Sequence, residues 1–107
     1  MMSIEFYLHD TGIKLRRQLK YQHPDDAEGT YRVYDTTGAT VTLNFYKPDG
    51  TILVKTATLE TPAADGYTYY AWLAGDLDIA GPWTCLLVAA KTAETRHATI
   101  PFTVRAK

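Results

Sequence analysis

Few residues in this chain have the types and spacing that chemistry requires. Ser3 is the single serine, so a Ser-His-Asp arrangement finds no nucleophile within the body of the chain. Cys85 stands among Leu86, Leu87 and Val88. There it reads as a small apolar filler, not as the accessible, electropositively flanked thiolate that catalysis needs. His9, His23 and His97 are far apart and lack H-x-H or C-x-x-C spacing, so no zinc site is expected. His23, Asp25, Asp26 and Glu28 share the polar loop 22–29. Its carboxylates suit a hard cation, but the spaced D-x-D-x-D-G pattern is missing, and a solvated loop is the simpler reading. Asp76 and Asp78 have the spacing of paired acids for hydrolysis. They fit better as turn and cap residues that accept local N–H bonds. Lys14, Arg16, Arg17 and Lys20 form a basic cluster of the kind that contacts phosphate. On a strand, Arg17 falls on the opposite face from the other three, and charges of this kind guard a sheet edge.

The aromatic residues carry more information. There are 8 tyrosines and 2 tryptophans, and Tyr67, Tyr69, Tyr70 and Trp72 crowd into one short segment. Alternation puts Tyr70 and Trp72 on one face and Tyr67 and Tyr69 on the other. Tyr70, Trp72 and Trp83 are expected in the core. Tyr67 and Tyr69 remain open to three roles: cross-strand packing, a subunit interface or a stacking platform for a sugar ring.

Composition narrows the classes. The chain has 107 residues, one domain's worth, with 46% hydrophobic and 21% charged residues. Eleven basic residues balance 12 acidic ones, for a formal charge of -1. Such balance gives no general attraction to nucleic acid or to an anionic membrane. A single cysteine forms no intrachain disulfide. The first ten residues have no basic stretch followed by an apolar run, so no secretory signal is read there and a chain made in a cytoplasm is expected. No segment approaches the ~20 apolar residues of a membrane span.

The elements that would position these residues are strands. In Thr40–Phe45, Val41, Leu43 and Phe45 alternate with Thr40, Thr42 and Asn44. Lys47-Pro48-Asp49-Gly50 is a hairpin turn, with Pro48 presetting φ and Gly50 free to take a positive value. It leads into a strand over 51–59. A turn cluster at 61–66 precedes a strand over 67–73. Residues 76–81 are expected as a helical turn or a crossing loop. In 83–90 both faces are largely apolar, which predicts a central strand covered on both sides or partnered on its outer face. In the closing strand Ile100, Phe102 and Val104 point inward, and Pro101 calls for an edge or a bulge. Ile13, Leu15, Leu19 and Tyr21 suggest a strand broken by Arg17, and Tyr31 and Val33 a short one. Residues 1–10 suit an N-terminal arm or edge strand. The expectation is an all-β, Ig-like antiparallel β-sandwich of about seven strands, one domain over 1–107. Its core is predicted as Val41, Leu43, Phe45, Tyr70, Trp72, Trp83, Leu87, Phe102 and Val104.

The order of these motifs resembles a known family. Asp35-Thr36-Thr37-Gly38-Ala39-Thr40-Val41 is similar to the D-L-T-G-A-T-V strand entry of phage baseplate upper protein N-terminal domains and related Ig-like virion modules. Lys47 to Thr51 resembles the hairpin turn that follows there. Gly66 to Trp72, Asp76-Leu77 and Ala80 to Trp83 resemble the family's G-x-x-x-Y, D and A-G-x-Y stretch, and Pro101 to Val104 its closing strand. The first hairpin departs, its short turn replaced by the longer loop 23–29.

The resemblance implies a non-enzymatic virion protein of a baseplate, tail, neck or head appendage. It implies other virion proteins as partners, a homo-oligomeric or symmetric assembly, and no cofactor, metal, nucleic acid or membrane. Candidate contact residues are Tyr67 and Tyr69 on their sheet face and Phe6 and Tyr7 in the arm. The competing expectation is a carbohydrate- or receptor-binding β-sandwich module.

Overall fold

The computed structural model describes residues 4–22 and 24–106. The fold is all-β: among the described residues there are ten strands and one 3-10 turn, Ala63–Asp65. The strands are β1 (Glu5–Tyr7), β2 (Lys14–Gln18), β3 (Lys20–Tyr21), β4 (Arg32–Val33) and β5 (Thr40–Tyr46). They continue with β6 (Ile52–Thr56), β7 (Thr58–Leu59), β8 (Tyr67–Ala71), β9 (Gly81–Ala90) and β10 (Thr95–Arg105). A five-stranded sheet runs β1-β10-β9-β5-β6, a three-stranded sheet β2-β8-β7, and β3 and β4 form a short ribbon. The two larger sheets enclose the core as a β-sandwich.

The alternation of β5 works as expected. Val41, Leu43 and Phe45 are buried, and the intervening residues face outward. The turn after it closes with the Gly50 N–H on the Lys47 carbonyl at 3.0 Å, Gly50 holding φ +89°. Asp49 accepts from the Thr51 N–H and hydroxyl at 3.0 and 2.7 Å, a local bond that pins the turn. In β9, Trp83, Cys85, Leu87 and Ala89 point inward and are buried. β9 pairs with β10 on one side and β5 on the other.

Several expectations need correction. The run over 51–59 is two strands rather than one. β6 pairs with β5, the buried Ala57 donates its N–H to the Val41 carbonyl at 2.9 Å, and β7 then pairs with β8 in the other sheet. A small residue lets the backbone cross between layers there. The stretch 13–21 likewise divides into β2 and β3 around the buried Leu19. These divisions raise the strand number above seven. Not every pairing is antiparallel: β1 lies parallel to β10, with Phe6 opposite Val104.

That parallel pairing moves Phe6 out of the candidate contact set. Facing inward like its neighbour Val104, Phe6 is 5% exposed and packs edge-on to Trp72 and Phe102. Tyr7 points to the other side and is exposed. Of residues 1–10, the first three lie outside the described residues, and 5–7 form an edge strand.

Pro101 sits on a strand that β1 covers only in part. The Thr103 N–H points to β1, donating to the Ile4 carbonyl at 3.1 Å. Two residues earlier the nitrogen of Pro101 faces the same way, past the end of β1, where no donor is needed.

Trp72 is the centre of the core. Its ring lies 4.9 Å from Phe45, 5.3 Å from Phe6, 5.4 Å from Tyr70, 5.8 Å from Phe102 and 6.3 Å from Trp83. The nine residues predicted for the core are all buried.

Candidate functional site

The groups singled out for chemistry are not brought together. Cys85 is fully buried, and burial pushes its thiol up to about 12. It therefore stays protonated and out of reach at neutral pH. Asp76 is buried, and its carboxylate accepts from the Tyr70 hydroxyl and from the Leu73 N–H at 2.9 Å. The Lys55 ammonium stands 3.7 Å away. Asp78 points elsewhere and holds the Lys47 ammonium at 2.8 Å. The two acids thus have separate structural partners.

Among the described residues no group of three or more His, Cys, Asp or Glu side chains is arranged to hold a metal ion. His23 lies outside the described residues. In the same loop Asp26 accepts two bonds from the Arg32 guanidinium, both at 2.8 Å.

Two members of the basic cluster, Lys14 and Arg16, lie over the three-stranded sheet, while Lys20 stands in the β3–β4 ribbon. Arg16 forms a two-point pair with Glu60 at 2.7 and 3.0 Å and places its guanidinium 3.8 Å above the Tyr67 ring. Lys14 sits 4.2 Å above the Tyr69 ring. Both tyrosines are half-buried, with one face of each ring taken by a cation. This follows from register: β2 and β8 are antiparallel, with Arg16 opposite Tyr69 and Gln18 opposite Tyr67, so each cation reaches its diagonal neighbour.

A groove of about 260 Å³ opens where β3 and β4 stop short of the far end of β9 and β10. Leu19, Leu87 and Ala98 floor it, and Tyr21, Tyr31 and Arg96 wall it. Arg96 covers the Tyr21 ring at 4.8 Å, and the Tyr34 hydroxyl donates to Glu94 at 3.4 Å. The space is smaller than the ~300–1,000 Å³ common for small-molecule sites.

The most distinctive surface is the outer face of the five-stranded sheet. Register places its outward-facing side chains, exposed or half-buried, in three rows across β6, β5, β9 and β10. The first is Ile52, Tyr46, Thr84 and Pro101. The second is Val54, Asn44, Leu86 and Thr99, and the third Thr56, Thr42, Val88 and His97. None of these positions carries an acid, a lysine or an arginine. Ile52 is 53% exposed and Val54 57%. The one amide in the middle, Asn44, turns its Nδ2 onto the Leu86 carbonyl of its own sheet at 3.3 Å. The outer face of the smaller sheet is the opposite in kind, crossed by Lys14, Arg16 and Glu60.

Sequence reasoning caught half of this face and missed the rest. The apolar second side of β9, Leu86 and Val88, was legible and read either as covered on both sides or as partnered on its outer face; both side chains are half-buried. Ile52 and Val54 went unremarked, although they alternate with Leu53 and Lys55 as a strand with an apolar outer side. Of the four candidate contact residues, Tyr7 is exposed at the β1 edge, Tyr67 and Tyr69 lie beneath cations, and Phe6 is internal. No protein-family model matches this chain, and no curated protein sequence matches it.

Proposed function

We propose that this domain is a non-enzymatic structural component of a phage particle, an Ig-like sandwich working by protein–protein contact within a baseplate, tail, neck or head appendage. The observation behind this reading is the uncharged outer face of the five-stranded sheet, with Ile52 and Val54 open to solvent. A sheet face that meets only water ordinarily alternates apolar inside with polar or charged outside. A contiguous apolar and threonine-rich face instead suits a protein neighbour.

The particle assignment rests on the resemblance to baseplate upper protein N-terminal and related virion domains. The motifs behind it build this domain's turns. Asp35 accepts from the Thr37 N–H and hydroxyl at 2.9 and 2.6 Å, and Lys47 to Thr51 closes the β5–β6 hairpin. A scaffold with its chemistry-bearing groups spent on turns and ion pairs is suited to assembly. The sugar-platform reading draws no support from Tyr67 and Tyr69, whose ring faces are shared with Arg16 and Lys14.

Gold-labelled antibody against this chain, applied to intact particles in electron micrographs, tests the reading. Label is expected at one fixed substructure on each particle. Recovery of the chain only in the particle-free fraction would overturn it.

A further inference from the structure

We infer that the occupant of the outer face of the five-stranded sheet is a second copy of this chain, so that two domains stack sheet on sheet as a symmetric dimer. The inference builds on the assembly role proposed above and names its first partner.

Charge is the first argument. A two-fold interface brings the same patch against itself, so any charge near its centre risks meeting its own kind. The three rows from β6 to β10 have none. A different partner selected by electrostatic fit would leave complementary charges on this side. This chain keeps its ion pairs elsewhere: Arg16–Glu60 lies on the opposite sheet, and Glu5–Arg105 at the rim.

Size is the second argument. Four strands at ~4.8 Å spacing, and about five to eight residues at ~3.3 Å along them, make a face of roughly 300–500 Å² in projection. Side-chain relief enlarges this toward the roughly 800 Å² that each partner gives to a standard interface. Sheets pack well at this scale, ~10 Å apart with strands inclined by about 30°.

The third argument is the ease of drying the face. Asn44, its most polar member, already donates to the Leu86 carbonyl. The threonines bring hydroxyls that bond within a sheet or across a seam.

Sedimentation velocity on the full chain between ~1 and ~200 µM reads the outcome, beside Val54→Lys on β6 and Thr99→Glu on β10. Both positions are exposed, so the variants keep the fold, which thermal melts by circular dichroism verify. Thr58→Lys, on the smaller sheet, is the control. The wild type and Thr58→Lys are expected to dimerise. Each face variant is expected to weaken dimerisation roughly 100-fold or more, because it buries an unpaired charge. A wild type that stays monomeric throughout, or a dimer that both face variants leave intact, overturns the inference. Particle labelling separates the two proposals: a monomer that still enters particles removes only the self-association, and a dimer absent from particles removes only the virion role.

Discussion

Tyr70 donates its phenolic hydrogen to the carboxylate of Asp76 at the edge of the core, tying β8 to the turn that follows it. The same carboxylate oxygen receives the Leu73 N–H, and Lys55 approaches the other oxygen from β6. A buried carboxylate is tolerated because it accepts two hydrogen bonds and faces a lysine ammonium.

Removing one of those bonds has a definite expected cost. Tyr70→Phe leaves the buried Asp76 short of a donor and is expected to lower stability by about 1–3 kcal/mol at pH 7 in urea melts. The pH profile carries the sign. Burial first, then the bond to Asp76 and its charge, raise the Tyr70 phenol above its ordinary value of 10.0. Such a group contributes its full stability below pH 10.0 and loses it as pH climbs toward the folded value. The wild type should weaken above about pH 10 more steeply than Tyr70→Phe. Parallel profiles would contradict this.

Gly66 ends the turn that joins β7 to β8 within the smaller sheet. It holds φ +74°, and an added Cβ would stand 2.6 Å from the Tyr34 carbonyl oxygen and 2.8 Å from Val33 Cγ1. Gly75 has a similar φ of +86° with open space around it. Gly75→Ala should therefore cost roughly 1 kcal/mol from backbone strain alone, and Gly66→Ala at least ~2–3 kcal/mol. Equal costs by chemical denaturation would show that the close approach at Gly66 relaxes freely.

Phe6 and Tyr7 are neighbours with opposite fates. Phe6→Ala is expected to cost about 3–5 kcal/mol, as for a buried aromatic ring. Tyr7→Ala should stay within about 0.5 kcal/mol. A loss at Phe6 as small as that expected at Tyr7 would place the ring of Phe6 outside the core.

Cys85 offers a check on how tightly the core is closed. Its thiol is raised from 9.0 to about 12 by burial, so its contribution to stability is complete below pH 9.0 and fades as pH rises toward 12. At pH 8 an aromatic disulfide reagent should leave the native chain untouched and label it rapidly in denaturant. Fast native labelling would mean that the sheets part around β9.

Period-two alternation located the core where strands are long. Val41, Leu43 and Phe45, or Trp83, Cys85 and Leu87, give enough repeats to assign a face. It failed where strands are short. Over Glu5–Tyr7 only one residue points inward, and Phe6 and Tyr7 are both aromatic, so composition cannot choose between them. Near β4 the residue that enters the core is Tyr34, just past the strand, while Val33 stays 39% exposed. The crossing at Ala57 was hidden because β6 and β7 look continuous, and only pairing reveals that they serve different sheets. The extent of the uncharged outer face escaped notice for a related reason. Its rows are assembled from four strands, and of these only β9 announces an apolar outer side on its own.

The β1–β10 pairing makes the chain wait for itself. Glu5 meets Arg105 across 100 positions, and Phe6 packs 5.5 Å from Phe102. While the ribosome is still adding the last strand, the aromatic centre around Trp72 lacks Phe102, and β1 has nothing to lie beside. Closure of this domain must therefore wait until β10 has been made, with the slow, non-local pairing typical of β proteins. In the interval the apolar segments stand open to other nascent copies.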